Sequence, residues 1–151
     1  MFIQEADLFR ELDQEIMNEI SMIMVEQSYD KGAILFAEGD PAIHFFILEE
    51  GRVRLAVGKE MKLDYPLSRP GEAFGWSSLV GRDSYTAQAV CETACELIKI
   101  EGESLQKIFQ RHPESGMLFF KRLASAIGQR LISTYNTLLT SKSPERDMSY
   151  G

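Results

Sequence analysis

Residues 31–57 read KGAILFAEGDPAIHFFILEEGRVRLAV, and this stretch decides the fold. Glycine beside an acidic residue recurs in it, at Glu38-Gly39-Asp40 and Glu50-Gly51, which is typical of tight turns. Between these turns apolar residues occupy every second position, a period that is typical of β-strands. The alternating residues are Ile34 and Phe36, then Phe45 and Ile47, then Val53, Leu55 and Val57. The stretch therefore predicts short strands joined by turns.

The same pattern extends outward over residues 25–101. Turns recur about every eight to twelve residues, a spacing that favours an all-β barrel or jelly roll. The glycines that mark the turns are Gly32, Gly39, Gly51, Gly58, Gly71 and Gly81. Strands and helices do not alternate, so a doubly wound α/β fold is excluded.

Helical patterns flank this region on both sides. Within residues 1–24, apolar side chains recur three and four positions apart, and Asp13 is a candidate N-cap. These apolar residues are Leu8, Leu12, Ile16, Ile20 and Ile23. Residues 102–141 predict a short helix over 103–111 and a long one that starts at Pro113, a residue favoured in a first turn. We expect Pro144 and the polar residues around it to form a disordered tail over residues 142–151.

The long helix carries two apolar stripes. The first is Phe120, Ala124, Ile127, Leu131, Thr134 and Leu138, and the second is Leu123, Ile132, Tyr135 and Leu139. The first has the alternating spacing of four and three that is typical of helices packed side by side. One stripe can pack on the roll while the other meets a second subunit, or both can pack within one monomer. We favour a homodimer formed through this helix.

Charge and composition narrow the function. The net charge is −7, which argues against direct contact with nucleic acid, because such contact depends on Lys and Arg. No apolar run reaches the roughly 20 residues of a membrane helix, and no secretory signal is recognisable. We therefore expect a cytoplasmic protein. Cys91 and Cys95 are interpreted as strand residues, His44 and His112 as structural residues, and neither a metal site nor a catalytic set of residues is recognisable.

Four segments together resemble the turn motifs of cyclic-nucleotide-binding domains. They are Lys31-Gly32, Glu38-Gly39-Asp40, Glu50-Gly51-Arg52-Val53 and Pro70-Gly71-Glu72-Ala73-Phe74-Gly75. The chain is similar to the sensor domains of catabolite-activator-type and fumarate-nitrate-regulator-type transcription factors over roughly residues 5–140. This resemblance implies a mainly β fold with flanking helices, a double-stranded β-helix (jelly roll) followed by a long C-terminal helix. It also implies a non-enzymatic ligand sensor.

The resemblance places a phosphate-binding cassette at Phe74, Gly75, Trp76, Ser77 and Ser78. In the family a Glu follows the Phe-Gly pair and holds the ribose, but this chain has Trp76. The family's phosphate-gripping Arg, followed by a small or hydroxyl residue, corresponds here to Tyr85-Thr86. Loss of that Arg removes a charge-assisted contact and with it much of the affinity for a phosphate. Arg82, three residues earlier, is expected to be an ordinary exposed loop residue.

The far end of the implied site lies on the long helix. There Thr134 falls on the family's base-contacting residue, and Tyr135 falls where a side chain reaches from the partner subunit. The ligand is either a cyclic nucleotide (cAMP or cGMP) or another, less anionic small molecule that stacks on Trp76 and Tyr85. Alternatively, the two aromatic residues fill the pocket, and the chain is a ligand-free dimerisation or protein-interaction module with an unknown partner.

A third hypothesis concerns the whole protein. Regulators of this family carry a helix-turn-helix after the long helix, and the roughly ten residues after Thr140 are too few for one. The chain is therefore either a stand-alone sensor or the sensor fragment of a transcription regulator.

Overall fold

A computed structural model describes residues 6–59 and 63–150, with side chains described as far as residue 140. Eight strands and three helices follow one another, with short 3-10 helices at Asp7–Phe9 and Trp76–Ser78. The elements are α1 (Gln14–Ile23), β1 (Met24–Tyr29), β2 (Ile34–Phe36), β3 (His44–Glu50), β4 (Val53–Val57), β5 (Leu63–Leu67), β6 (Ala73–Phe74), β7 (Gln88–Cys91), β8 (Cys95–Glu101), α2 (Gly102–Arg111) and α3 (Pro113–Tyr150).

The strands form two antiparallel sheets of four. One sheet has the order β1-β8-β3-β6 and the other the order β2-β7-β4-β5. Strands that are distant in sequence are therefore neighbours in both sheets, as in a jelly roll. The predicted mainly β roll with flanking helices is confirmed.

The turn at Gly51 shows why the roll needs glycine. Gly51 has a φ of +102°, and a Cβ built on it would lie 2.5 Å from the Ala94 carbonyl oxygen. A side chain is therefore excluded both by the backbone conformation and by the close approach of the loop before β8.

Strand β3 separates two apolar clusters. Phe45 and Ile47 face a cluster built with α1, α2 and α3, whereas Phe46 and Leu48 face the interior between the two sheets. All four side chains are at most 3% exposed. The alternation at Phe45 and Ile47 therefore describes only the face that the helices cover, because the second sheet covers the other face of the strand as well.

The helices begin close to the predicted positions. Asp13 is the N-cap residue of α1, although its side chain makes no capping hydrogen bond, and its carbonyl accepts from Met17 N–H at 3.0 Å. Helix α3 begins at Pro113 as predicted. In the described part of the chain no helix is apolar over enough residues to cross a membrane.

The two halves of α3 differ in their surroundings. Phe119 and Leu123 are buried against the roll, with Phe120 and Ile127 packed on the same cluster. Further along, apolar side chains are exposed: Leu131 (48%), Ile132 (52%), Tyr135 (55%) and Leu139 (56%). The first residues of each predicted stripe thus pack against the roll, and its last residues are exposed. Neither stripe packs against a single partner along its whole length.

The C-terminal end of α3 differs from the expected tail. The backbone of residues 142–150 is helical, and Pro144 does not end the helix. Helix propagation adds one hydrogen bond for each residue fixed, so an established helix extends more readily than a new one starts. Residue 151 and residues 1–5 of the predicted N-terminal helical segment lie outside the described residues.

Candidate functional site

A cavity of about 300 Å³ lies between the roll and α3. Its walls come from β4, β5, the loop before β7 and the middle of α3, and most of them are apolar. The lining residues are Leu55, Val57, Leu63, Asp64, Tyr65, Trp76, Thr86, Ala87, Ile127, Arg130, Leu131, Thr134 and Thr137. A concave, mainly apolar site with a few polar groups is the usual form of a small-molecule pocket.

The cassette segment contributes Trp76 to this cavity. Gly75 holds the turn before it with a φ of +80°, and a Cβ there would lie 2.8 Å from the His44 carbonyl oxygen. Trp76 then opens the 3-10 helix and packs partly on the cluster beneath the helices. Phe74, by contrast, is fully buried between the sheets and stacks on Phe46, with ring centroids 5.1 Å apart.

Ser77 and Ser78 lie away from the cavity. Both are buried, and the Ser78 hydroxyl donates to the Gly75 carbonyl at 2.8 Å. The Ser78 carbonyl accepts from the Gln106 side chain at 3.0 Å, which ties the cassette to α2. These hydrogen bonds stabilise the turn, so Ser78 serves the local fold.

Tyr85 occupies the interior of the roll. Its ring stacks on Phe36, with centroids 3.7 Å apart. Its hydroxyl donates to the His44 carbonyl at 2.6 Å and accepts from the His44 N–H at 2.9 Å. Burial raises the pKa of the Tyr85 phenol, so it stays neutral. Tyr85 is thus fully engaged within the protein, and of the Tyr85-Thr86 pair only Thr86 lines the cavity.

Arg130 brings a cation to the cavity. Its Nη2 donates to the Ala73 carbonyl at 2.7 Å, and its guanidinium lies 4.8 Å from the Trp76 ring centroid and 5.1 Å from that of Tyr65. Both aromatic rings therefore stabilise the charge by cation–π contact. Nη1 is buried and has no hydrogen-bond partner among the described residues.

The charge of Arg130 is only partly compensated. Burial lowers the pKa of the Arg130 guanidinium, while the neighbouring Tyr65 and Glu72 act in the opposite direction. Glu72 is itself hydrogen-bonded to Arg69 at 2.9 Å. A partly buried cation with one unpaired, buried nitrogen is therefore a feature of the cavity wall.

The two helix residues implied by the resemblance differ in position. Thr134 lines the cavity, and its hydroxyl donates to the Arg130 carbonyl one turn earlier at 2.9 Å. Tyr135 is 55% exposed and does not line the cavity of its own chain. Its predicted contact across a dimer stays a prediction.

A second cavity, of about 390 Å³, shares Tyr65, Trp76 and Arg130 with the first. It is larger, but the charged side chains on its wall are largely paired with one another or with backbone. Arg69 pairs with Glu72 at 2.9 Å, and Arg122 hydrogen-bonds to the carbonyl of Arg10. We therefore take the smaller, more apolar cavity as the candidate site.

Sequence reasoning thus located Trp76, Thr86 and Thr134 on the cavity wall, but it assigned no role to Arg130 or Tyr65. A signal for Arg130 was present in the sequence. It lies one helical turn before Thr134 and three residues after Ile127, so it shares their face of the helix. A basic residue on an otherwise apolar helix face requires a partner or a function.

Comparison with known proteins agrees with this geometry. Residues 26–112 match the profile of the family described as "Cyclic nucleotide-binding domain". The Global nitrogen regulator of Synechocystis sp. is 31% identical over 130 residues, covering 82% of this chain and 55% of that protein. The Drosophila melanogaster cGMP-dependent protein kinase, isozyme 2 forms cD5/T2, is 26% identical over 129 residues, covering 78% of this chain.

The solved structure of Thermus thermophilus Catabolite Activator Protein has the same fold. It superposes with a TM-score of 0.67 at 27% identity, covering 89% of this chain and 62% of that chain. The chain spans only 14% of the Drosophila kinase and 55% of the nitrogen regulator, so it corresponds to one part of each. Because the family profile matches more than half of the chain, the protein belongs to the cyclic nucleotide-binding domain family.

Proposed function

We propose that this chain is a non-enzymatic sensing domain that binds a small molecule in the cavity between the roll and α3. The observation that carries the proposal is that both units build the cavity: Trp76 and Thr86 from the roll, Arg130 and Thr134 from α3. A ligand in it contacts both at once. Its affinity then depends on where α3 lies, and by linkage its binding biases that position.

The cassette favours a ligand other than a tightly held cyclic nucleotide. The hydroxyl of Tyr85, at the position of the family's arginine, is already bound to the backbone of His44. Trp76 stands where the family has the ribose-binding Glu. We therefore expect cAMP and cGMP to bind weakly, and a more apolar molecule without a phosphate to be the ligand that the domain senses.

The exposed half of α3 supports a homodimer as the responding unit. Leu131, on the cavity wall, and its neighbours Ile132 and Tyr135 outside it are each about half exposed. A second copy of the helix would bury these apolar side chains, which favours association. We propose that ligand binding changes how two such helices pack, inside a cytoplasmic regulator.

The relatives suggest a wider setting. One is the Global nitrogen regulator, and this chain spans 55% of it. We propose that the domain works as the sensor of a regulator whose output lies outside these residues. The net charge of −7 favours an output carried by another segment or a partner rather than by direct nucleic-acid contact.

A ligand-free interaction module is the second candidate. The filled interior around Tyr85, which stacks on Phe36, is the observation that favours it. In that case the cavity beside α3 has no small-molecule ligand, and the exposed helix surface alone carries the function.

Thermal unfolding separates the two candidates. A library of small apolar and weakly anionic molecules, with cAMP and cGMP at millimolar concentration, is screened for a saturable shift. A ligand at 100 times its Kd adds about 2.7 kcal/mol, or roughly 5–10 °C for a chain of this size. Thr134→Phe, which fills the cavity, should abolish the shift, whereas Asn136→Phe, on an exposed position outside it, should not.

The outcomes are distinct. A shift that Thr134→Phe removes supports the sensor. A library without any saturable hit contradicts it and favours the interaction module. Strong shifts with cAMP or cGMP would show that the altered cassette still accepts the family's ligand.

A further inference from the structure

Arg130 determines which kind of ligand the cavity favours. Its guanidinium lies between two aromatic rings, and one of its nitrogens, Nη1, is buried without a hydrogen-bond partner among the described residues, although Arg130 as a whole is only partly buried. A buried donor without a partner costs about 1–3 kcal/mol, and more where the group is charged. A ligand whose negative group reaches the guanidinium from the cavity neutralises this charge and so offsets part of that cost.

The remaining walls define the rest of the ligand. Leu55, Ile127 and Leu131 are apolar, and Trp76 and Tyr65 present aromatic surface. No second cation lies on the wall of this cavity, within the part of the chain that the structure describes. Asp64 lies on the wall too, but it is exposed, and water screens exposed charges. One partly buried positive charge in a mainly apolar site matches one negative charge on an apolar body.

The size of the cavity indicates a small ligand. At about 300 Å³ it lies at the small end of the range of ligand pockets, roughly 300–1,000 Å³. A planar carboxylate also matches the guanidinium, which offers parallel N–H donors.

We propose that the ligand is a small apolar monocarboxylate, whose carboxylate binds Arg130 and whose aromatic or aliphatic body packs against Trp76, Tyr65 and Ile127. This inference rests on the proposed function, since it names the ligand class of the same cavity. It assigns Arg130 as the residue that selects for charge. The bound carboxylate would add a contact between α3 and the roll at the point where Arg130 already reaches the Ala73 carbonyl.

Calorimetric titration with a matched pair of probes tests the proposal. The probes are 4-phenylbutyrate and its neutral analogue 4-phenylbutanamide, which differ in charge but little in shape. We expect the wild-type chain to bind the carboxylate at least tenfold more tightly than the amide. Arg130→Met should remove this preference, Arg130→Lys should keep part of it, and Arg82→Gln, which changes an exposed loop arginine outside the cavity, should leave it intact.

The readout is the affinity ratio of the two probes, which a merely structural role of Arg130 would not change. Because Arg130→Lys keeps the charge, it serves as the test if Arg130→Met fails to fold. Equal binding of acid and amide would overturn the carboxylate assignment while leaving the cavity as a ligand site. Failure of both probes while a cyclic nucleotide binds would also overturn it, again without contradicting a sensing function. Failure of every probe would overturn the carboxylate assignment, and the sensing function falls with it only if the wider library also gives no saturable hit.

Discussion

The substitution Tyr85→Phe removes one hydroxyl group. It tests whether the Tyr85 hydroxyl, at the position of the family's arginine, is held by hydrogen bonds within the protein. The hydroxyl donates to the His44 carbonyl at 2.6 Å and accepts from its N–H at 2.9 Å. The substitution leaves the ring free to stack on Phe36 but removes both hydrogen bonds. Leaving the two partly buried backbone groups without this partner should cost about 1–3 kcal/mol.

Chemical denaturation measures this cost, and thermal unfolding provides a second estimate. About 2 kcal/mol corresponds to a fall in Tm of roughly 4–8 °C for a chain of this length. The matched control is Tyr29→Phe, because the Tyr29 hydroxyl bonds only the exposed side chain of Gln27 among the described residues. The control should stay within about 0.5 kcal/mol of wild type. If Tyr85→Phe changes the stability as little as Tyr29→Phe does, the His44 backbone does not hold the Tyr85 hydroxyl. The position of the family's arginine would then be free to bind a ligand, which refutes the reasoning.

Three further predictions concern turns, pH and association. Chemical denaturation should show that Gly51→Ala lowers the free energy of unfolding by at least about 3 kcal/mol, because the new Cβ would meet the Ala94 carbonyl. Gly81 also has a positive φ but lies in open space, so Gly81→Ala should cost only about 1 kcal/mol. Burial lowers the pKa of the His44 imidazole, so the unfolded chain takes up this proton first, and stability should fall as the pH drops through about 6.5. His44→Gln should flatten that slope, and a slope unchanged by it would contradict the assignment. Ile132→Asp, on the exposed half of α3, should shift the chain from dimer to monomer in sedimentation velocity, and an unchanged sedimentation coefficient would remove this face from the dimer.

The roll was predictable because its signals are local. Period-two runs and glycine turns depend only on neighbouring residues, and the three named runs coincide with β2, β3 and β4. Strand β3 shows the limit of that reasoning. Its apolar residues face two different clusters, and only the docking of the helices onto the sheet reveals that Phe45 and Ile47 face one and Phe46 and Leu48 the other.

The site was only partly predictable. A motif gives positions along the chain, but it does not give the direction of a side chain. Trp76 and Thr86 line the cavity, whereas Ser77 and Tyr85 are buried away from its wall. Tyr65 lies on the wall because of how β4 and β5 are placed relative to α3. A local sequence pattern does not predict that arrangement.

The long helix illustrates the same limit. Its heptad spacing predicts that α3 has two apolar faces, but not where the roll stops covering them. The roll covers α3 around Phe119 and Leu123, and from Leu131 onward the apolar residues are exposed. Arg130 lies at this boundary. Its role therefore follows from the three-dimensional arrangement and not from the spacing.

Trp76 provides the most direct test of the central claim, that the cavity between the roll and α3 binds a small ligand. It is the only tryptophan in the chain, and it lies on the cavity wall beside Arg130. Tryptophan fluorescence is measured during titration with candidate ligands, in the wild-type chain and in Thr134→Phe. We expect the fluorescence of the wild type to change saturably with ligand concentration, and we expect this change to be lost in Thr134→Phe. A change of the same size and midpoint in both proteins would show that the ligand binds elsewhere and would contradict the account.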